Sequence, residues 1–468
     1  MVFSLFKKAP GAGGRVLVAF ASQTGRAQTI AWATANALPG LVRVAALGSL
    51  TAGELAEAGT LLVVTSTYGA GEAPDSARAF VKKQMTPGAG FKGLNFAVLA
   101  LGDRQYDATF CGFGKAIDRW LAAGKARRLF DITCVDGDDD DAAFERWADQ
   151  LNRLGGKTEA QALMPGAPQP WILQERLLLN AGSPGGEAWH IALVPKEPGV
   201  TWTAGDIAEV WPRNRQPDVD AFLARHDLDG NLSFRWHGHW TYLRDIIAHS
   251  KLPGDHEVAG ISVQWLVERL VDFKPREYSI ASLPGRIELL VRKALKDDGS
   301  LGVGSGWLIE HADVGGIVPL RLRPNPNFHP PGDGPMILIG AGTGMAGLRV
   351  HLAQRAAKGL RDAWLLFGER SKAHDLFFGD EIAAWQADGT LAKADLVFSR
   401  DTSPKKYVQH LVTEQGAGIA AWVERGASIM VCGGLEMAAG VQAALTTILG
   451  EEKLDQLTAA GLYRRDIY

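Results

Sequence analysis

The 468-residue chain is 46% hydrophobic and carries 49 basic against 52 acidic residues, a formal net charge of −3. At roughly 150 residues per domain it holds about three domains, and so even a charge balance argues against a nucleic-acid or acidic-membrane partner. Three widely spaced cysteines, Cys111, Cys134 and Cys432, exclude a thiolate-held iron–sulfur cluster or a structural zinc of ordinary spacing and fit a reducing, cytoplasmic setting.

The opening, Met1 to Pro10, contains Val2, Phe3, Leu5 and Phe6, then Lys7 and Lys8. This run is too short for a signal sequence or a membrane span, and no other stretch approaches ~18 apolar residues. From 13 to 154, strand-like runs (15–21, 42–47, 60–66, 96–101 and 129–135) alternate with helix-like ones. That alternation predicts a doubly wound parallel α/β sheet, whose ligands sit in loops beyond the carboxyl ends of the strands.

Three loops stand in such places. Ser22-Gln23-Thr24-Gly25-Arg26-Ala27 opens a helix. Its hydroxyls, glycine and free N–H groups make a nest for a phosphate, an ordinary N-cap being the plainer reading. It is not GxGxxG, which disfavours a dinucleotide. Ser66-Thr67-Tyr68-Gly69 leads into Ala70-Gly71-Glu72, and Leu101-Gly102-Asp103-Arg104-Gln105-Tyr106 runs on to Phe110 and Cys111. Each places one tyrosine in a glycine-bearing turn, and two such rings could sandwich a flat ligand, at about 0.5–1.5 kcal/mol per stacked pair beyond area burial.

On these loops the segment resembles a flavodoxin-type FMN domain, most like those fused in NADPH-dependent diflavin reductases. The resemblance implies that residues 22–27 hold the FMN phosphate and that Tyr68 and Tyr106 flank its ring. An acidic run, Asp136-Gly137-Asp138-Asp139-Asp140-Asp141, precedes a helix to about 154. Acids are favoured at a helix N-terminus; the alternative is a patch that docks a basic acceptor, and by the resemblance Asp139 lies beside the FMN.

Gly155-Gly156 and Pro165, Pro168 and Pro170 mark a linker over 155–170. Strand-like stretches at 172–179, 188–194 and 206–212 predict a small antiparallel barrel over 171–333. A helical insertion interrupts it at about 214–272, with helical periodicity around 219–225, 240–249 and 263–271. The family carries a connecting insertion here, and this one is shorter than its usual length. His237 and His239 lack a third ligand nearby, so packing or exposed histidines are expected and no metal.

The barrel contains Arg276-Glu277-Tyr278-Ser279. Residues i and i+2 of a strand share a face, so Arg276 and Tyr278 point together, a cation beside a flat ring that suits a pyrophosphate joined to a planar ring system. The stretch matches the family motif Arg-x-Tyr-Ser, which implies FAD. Gly302-Val303-Gly304-Ser305-Gly306-Trp307-Leu308 matches a second FAD motif, whose glycines let backbone approach a pyrophosphate. Leu289, Leu290 and Val291 fall where family members line the flavin.

In the last stretch, 334–468, a buried strand runs into Gly340-Ala341-Gly342-Thr343-Gly344-Met345-Ala346-Gly347 and a helix, a pyrophosphate site in form. Gly347 replaces a proline usual in the family, which predicts a looser loop. Ser399, Arg400, Lys405, Lys406, Tyr407, Val408 and Gln409 form one short segment. Its cations and hydroxyls suit a 2′-phosphate, where NAD sites place a carboxylate, and it matches the family's NADPH segment. Val431-Cys432-Gly433-Gly434 resembles Cys-Gly-Asp with Gly434 for the aspartate, and Gly440 replaces another. The end, Leu462-Tyr463-Arg464-Arg465-Asp466-Ile467-Tyr468, matches sulfite reductase flavoproteins. That implies that Tyr468 covers the FAD ring and that Ser279, Cys432 and Asp466 surround the hydride path.

The resemblance thus spans about residue 15 to Tyr468. It implies electrons passing from NADPH to FAD to FMN and on to a one-electron acceptor, a sulfite reductase haemoprotein. A cytochrome P-450, another haem protein or a ferric chelate are the alternatives, and a non-catalytic flavin-binding subunit is the rival of another class.

Overall fold

Apolar, β-branched runs flanked by helices become strands buried on both faces. In order they are β1 (Val16–Ala21), β2 (Val42–Ala46), β3 (Thr60–Ser66), β4 (Asn95–Gly102), β5 (Arg127–Arg128) and β6 (Thr133–Asp136). They form a parallel sheet of order β2-β1-β3-β4-β5, with β6 also on β4. Helices Arg26–Ala37 and Asp141–Arg153 bury Ile30, Phe144 and Trp147 in one core cluster. Helices Asp75–Gln84 and Gly112–Ala123 bury Phe80, Phe113 and Ile117 in another. The strand expected at 129–135 is divided: Arg128 gives its guanidinium to Asp118 at 2.6 and 2.9 Å, and the ladder resumes at Thr133.

The computed structural model describes residues 16–468 apart from 70, 138, 139, 237, 238 and the Gln105 side chain. Two units emerge. One holds the chain to Ala167 with Pro324–Asn327 and Leu449–Arg465; the other holds Pro168–Arg323, Phe328–Ile448 and Asp466–Tyr468.

In the second unit, β7 (Gln169–Leu178), β8 (Ala188–Pro195), β9 (Ile207–Val210), β10 (Ser233–Trp236), β11 (His239–Tyr242), β12 (Arg276–Ser279), β13 (Ile287–Arg292) and β14 (Ile317–Arg323) follow in chain order. Six of them make an antiparallel sheet, β12-β9-β14-β7-β8-β13, around Trp171, Leu193, Leu289 and Val318. The insertion has its own core of Val219, Phe222, Leu243, Ile246 and Leu266. Its helical periodicity around 240–249 holds only from Leu243. Trp240 and Tyr242 instead pair with Arg235 and Ser233 in a β10–β11 hairpin, where aromatic and β-branched residues favour the strand.

The third sheet uses β15 (Met336–Ala341), β16 (Ala363–Glu369), β17 (Leu391–Phe398), β18 (Ser428–Gly433) and β19 (Tyr463–Ile467), in the order β17-β16-β15-β18-β19. Among the described residues no helix is long and apolar enough to cross a membrane.

Candidate functional site

Beyond β1, Ser22 turns its hydroxyl back to accept from Ala27 N–H at 3.2 Å, and Gly25, at φ 87°, starts the helix. Only glycine adopts that conformation without cost, and a Cβ there would stand 2.5 Å from Pro326 Cδ. Ser66 Oγ, beyond β3, accepts from Gln23 N–H at 3.2 Å, which ties the first loop to the second. The Gln23 side chain is committed to Asp75, accepting from its N–H and donating to its carboxylate. Arg26 donates to the Gly137 carbonyl. Thr67 Oγ1 is buried with no hydrogen-bond partner. An unsatisfied buried hydroxyl is costly, and at this loop it is a donor suited to an anion.

Tyr68 and Glu72 exchange backbone hydrogen bonds of 3.0 and 2.8 Å, so Gly69 lies in a tight turn. The third loop abuts it: a Cβ on Gly112 would stand 2.9 Å from Gly71 Cα. Here Tyr106 is 66% exposed, its N–H donating to Asp103 O. Arg104 N–H donates to Asp136 at 2.9 Å, and its guanidinium lies over Phe110, 5.1 Å from the ring centre. Leu101 and Cys111 point inward, and Gly102 passes under Cys111, where a Cβ would meet its nitrogen at 2.8 Å. Asp139 lies outside the described residues; its neighbour Asp140 caps the helix by accepting from Ala143 N–H. An exposed tyrosine, a helix start opened by a left-handed glycine and an orphaned hydroxyl at three adjacent strand ends fit a flavin mononucleotide.

In the second unit, Arg276 packs over Gly304, where a Cβ would stand 2.3 Å from Arg276 Cγ. The two stretches predicted to hold one pyrophosphate thus meet, and the glycine is required. Ser305 Oγ accepts from Ala294 N–H, bracing the Gly302-Val303 turn. Glu277 accepts from Arg323, which also donates to buried Glu209 at 2.8 Å. Burial pushes the Tyr278 phenol up. Leu289 and Val291 pack in the barrel core and Leu290 in the opposite one, so their side chains are spent on packing.

Ser279 Oγ donates to Asp466 Oδ2 at 2.6 Å, and Cys432 Sγ donates to the same oxygen at 3.7 Å. Burial raises the Asp466 carboxyl; Ser279 and Arg323 pull it partly back. Cys432 is raised by burial and by that carboxylate. Gly347 faces this cluster, a Cβ there standing 2.9 Å from Cys432 Sγ and 3.1 Å from Phe328. The looser loop expected at Gly347 is therefore absent: sulfur and ring fill the space.

A cavity of about 700 Å³ opens at the ends of β15, β16 and β17. Thr343, Ser399, Arg400, Tyr407, Val408, Gln409 and Tyr468 line it. Tyr468 hydrogen-bonds Thr343 at 2.8 Å. Lys406 is turned to Glu414 at 2.8 Å, Lys405 is exposed, and neither lines the cavity. Arg292, paired with Glu369, and Arg370 do line it and were missed; the signal available was Glu369-Arg370 at the carboxyl end of a parallel strand. Gly440 is covered by Gln409, whose Cγ would be 3.1 Å from a Cβ.

Residues 18–147 match the flavodoxin family and 338–443 match the oxidoreductase NAD-binding domain family. Curated relatives include the sulfite reductase [NADPH] flavoprotein alpha-components of Shewanella sp. (strain ANA-3), 29% identical over 97% of this chain and 89% of the relative. Those of Vibrio cholerae (28%; 98% and 88%) and Bacillus subtilis (28%; 98% and 90%) are similar. The Shewanella alignment spans 547 positions against 468 residues here, so the relative has stretches this chain lacks.

Proposed function

The chain belongs to the NADPH-dependent diflavin reductases, and from that premise we propose that it takes electrons from NADPH through FAD and FMN to a one-electron acceptor, a sulfite reductase haemoprotein. The flavins supply the chemistry when bound: they accept two electrons together and release them singly. The protein supplies position and charge. Ser399 and Arg400 bind the 2′-phosphate as charge-assisted hydrogen-bond donors, Arg370 and Arg292 neutralise the remaining phosphates, and Thr343 and Tyr468 close the nicotinamide end. Asp466 holds the Ser279 and Cys432 protons in one hydrogen-bonded set, and the buried carboxylate favours positive charge developing at the nicotinamide. Arg276 over Gly304 grips one pyrophosphate, and the residue 22–27 loop with Thr67 grips the other flavin's phosphate.

The observation that supports this most is the convergence of Ser279 and Cys432 on Asp466, two residues from a tyrosine lining a cavity edged with arginine and serine. The sulfite reductase acceptor is supported by the relatives' names, and a cytoplasmic location by three free cysteines. Flavins released from the purified protein should number one FAD and one FMN per chain, with rapid NADPH–ferricyanide turnover. NADPH-dependent sulfite reduction on adding a sulfite reductase haemoprotein tests the acceptor. Both flavins bound with no ferricyanide turnover would favour a non-catalytic flavin-binding subunit, the reading that Gly434 and Gly440 suggest.

A further inference from the structure

Two thiols of the flavodoxin-like sheet have no part in the scheme above. Cys134 lies on β6, and its register partner across the parallel ladder is Ala100 of β4. Cys111 Sγ donates to the carbonyl of that same Ala100 at 3.2 Å. The two cysteines therefore meet the same rung, one as the register partner of Ala100 and the other bonded to its carbonyl. Cys111 is held firmly, since Gly102 passes beneath it and its backbone sits at φ 55° before the helix Gly112–Ala123. Cys111 is fully buried, whereas Cys134 is partly exposed.

We propose that Cys111 and Cys134 form a redox modification site, a dithiol that hydrogen peroxide converts to a disulfide. Peroxide meets Cys134 first. The groups facing that sulfur are Cys111, Lys115, Arg104 and Asp118. The Cys111 sulfur, Lys115 and Arg104 favour the Cys134 thiolate against burial and Asp118 and so lower it, while Cys134 and burial raise Cys111. That is the division between an attacking and a resolving thiol. The Cys134 thiolate attacks one peroxide oxygen: an S–O bond forms, the O–O bond breaks, and hydroxide leaves. Sulfur loses two electrons and the peroxide gains them. The Cys111 proton passes to the hydroxide, giving water. Cys111 sulfur then attacks the sulfenic sulfur, so an S–S bond forms, the S–O bond breaks, and a second water leaves with the remaining proton. Two thiols and one peroxide thus yield one disulfide and two waters. The link would fasten the end of the Tyr106 loop to β6, which already holds it through Asp136 and Arg104.

The test treats the full-length, flavin-loaded protein with one equivalent of hydrogen peroxide, alkylates it under denaturing conditions and maps its peptides by mass spectrometry. The expected product is a Cys111–Cys134 linked pair, reversed by dithiothreitol, with Cys432 alkylated. The linking rate should rise from pH 6 to pH 8, following the thiolate. Cys111→Ser should leave Cys134 as a sulfenic acid that dimedone traps, and Cys134→Ser should leave Cys111 reduced. Three thiols surviving, Cys134 oxidised to a sulfinic acid without a link, or a rate indifferent to pH would each overturn the proposal.

Discussion

The two parallel sheets prepare their strand ends with different chemistry. Beyond β1, β3 and β4 the loops are wired backbone to hydroxyl: Ser22 to Ala27, Ser66 to Gln23, Tyr68 to Glu72. Several charged groups there are turned to protein partners, as Arg26 is to Gly137 and Arg104 to Asp136. Beyond β16 and β17, Arg370 and Arg400 line an open cavity with Arg292. On the proposed function, the first site would recognise by backbone shape and the second by formal charge. A shape site fails when a loop dihedral is disturbed; a charge site fails when a charge is removed or screened.

The largest effect should come from Asp466→Asn, with flavin reduction by NADPH slowing about 10²–10³-fold in stopped-flow while flavin content is retained. The wild-type rate should fall as pH drops through the Asp466 value, which burial places above an ordinary carboxyl, and the variant should lack that limb. Because the folded value lies above the unfolded one, this carboxylate costs stability at neutral pH, a cost that relaxes as pH falls through it. Melting of the variant should therefore be unchanged or higher. A rate within twofold of wild type would remove Asp466 from the chemistry.

Next, Arg400→Ala should raise KM for NADPH about ten- to a hundredfold, the loss of a charged hydrogen bond of about 1.5–3 kcal/mol, and leave KM for NADH unchanged. Added salt should mimic it. Equal effects on both nucleotides would place Arg400 away from the 2′-phosphate.

Gly25→Ala probes the shape site. A left-handed residue costs about 1–2 kcal/mol without glycine, and Pro326 leaves no room for the Cβ, so FMN affinity measured by fluorescence should drop about tenfold. Salt should matter far less there than to NADPH, and the reverse pattern would break the contrast. The smallest change is Tyr106→Ala, with about two- to tenfold weaker FMN binding if the exposed ring stacks. No change would leave Tyr106 as a surface residue.

Much of this molecule is local. Alternating strands and helices, the glycine at φ 87° and the hydroxyls around it lie in contiguous residues, because backbone conformation is set by neighbours in the chain. The hairpin at Trp240 shows where local reading fails: an aromatic run has no decided period until its cross-strand partners Arg235 and Ser233 are known. Lys405 and Lys406 read as ligands from their charge and from the motif match of their segment, yet neither lines the cavity and Glu414 takes up Lys406.

The sequence by itself determined the domain types, the loop positions and the chemistry expected at each, since these follow from short-range periodicity, turn residues and motif resemblance. Only the tertiary structure decided that one Asp466 oxygen serves both Ser279 and Cys432, that Arg292 and Arg370 enter the cavity, and that Gly440 makes room for Gln409. It alone brought Cys111 and Cys134 to one rung. Such groups come from strand ends far apart in the chain, and which of them converge depends on sheet order and packing.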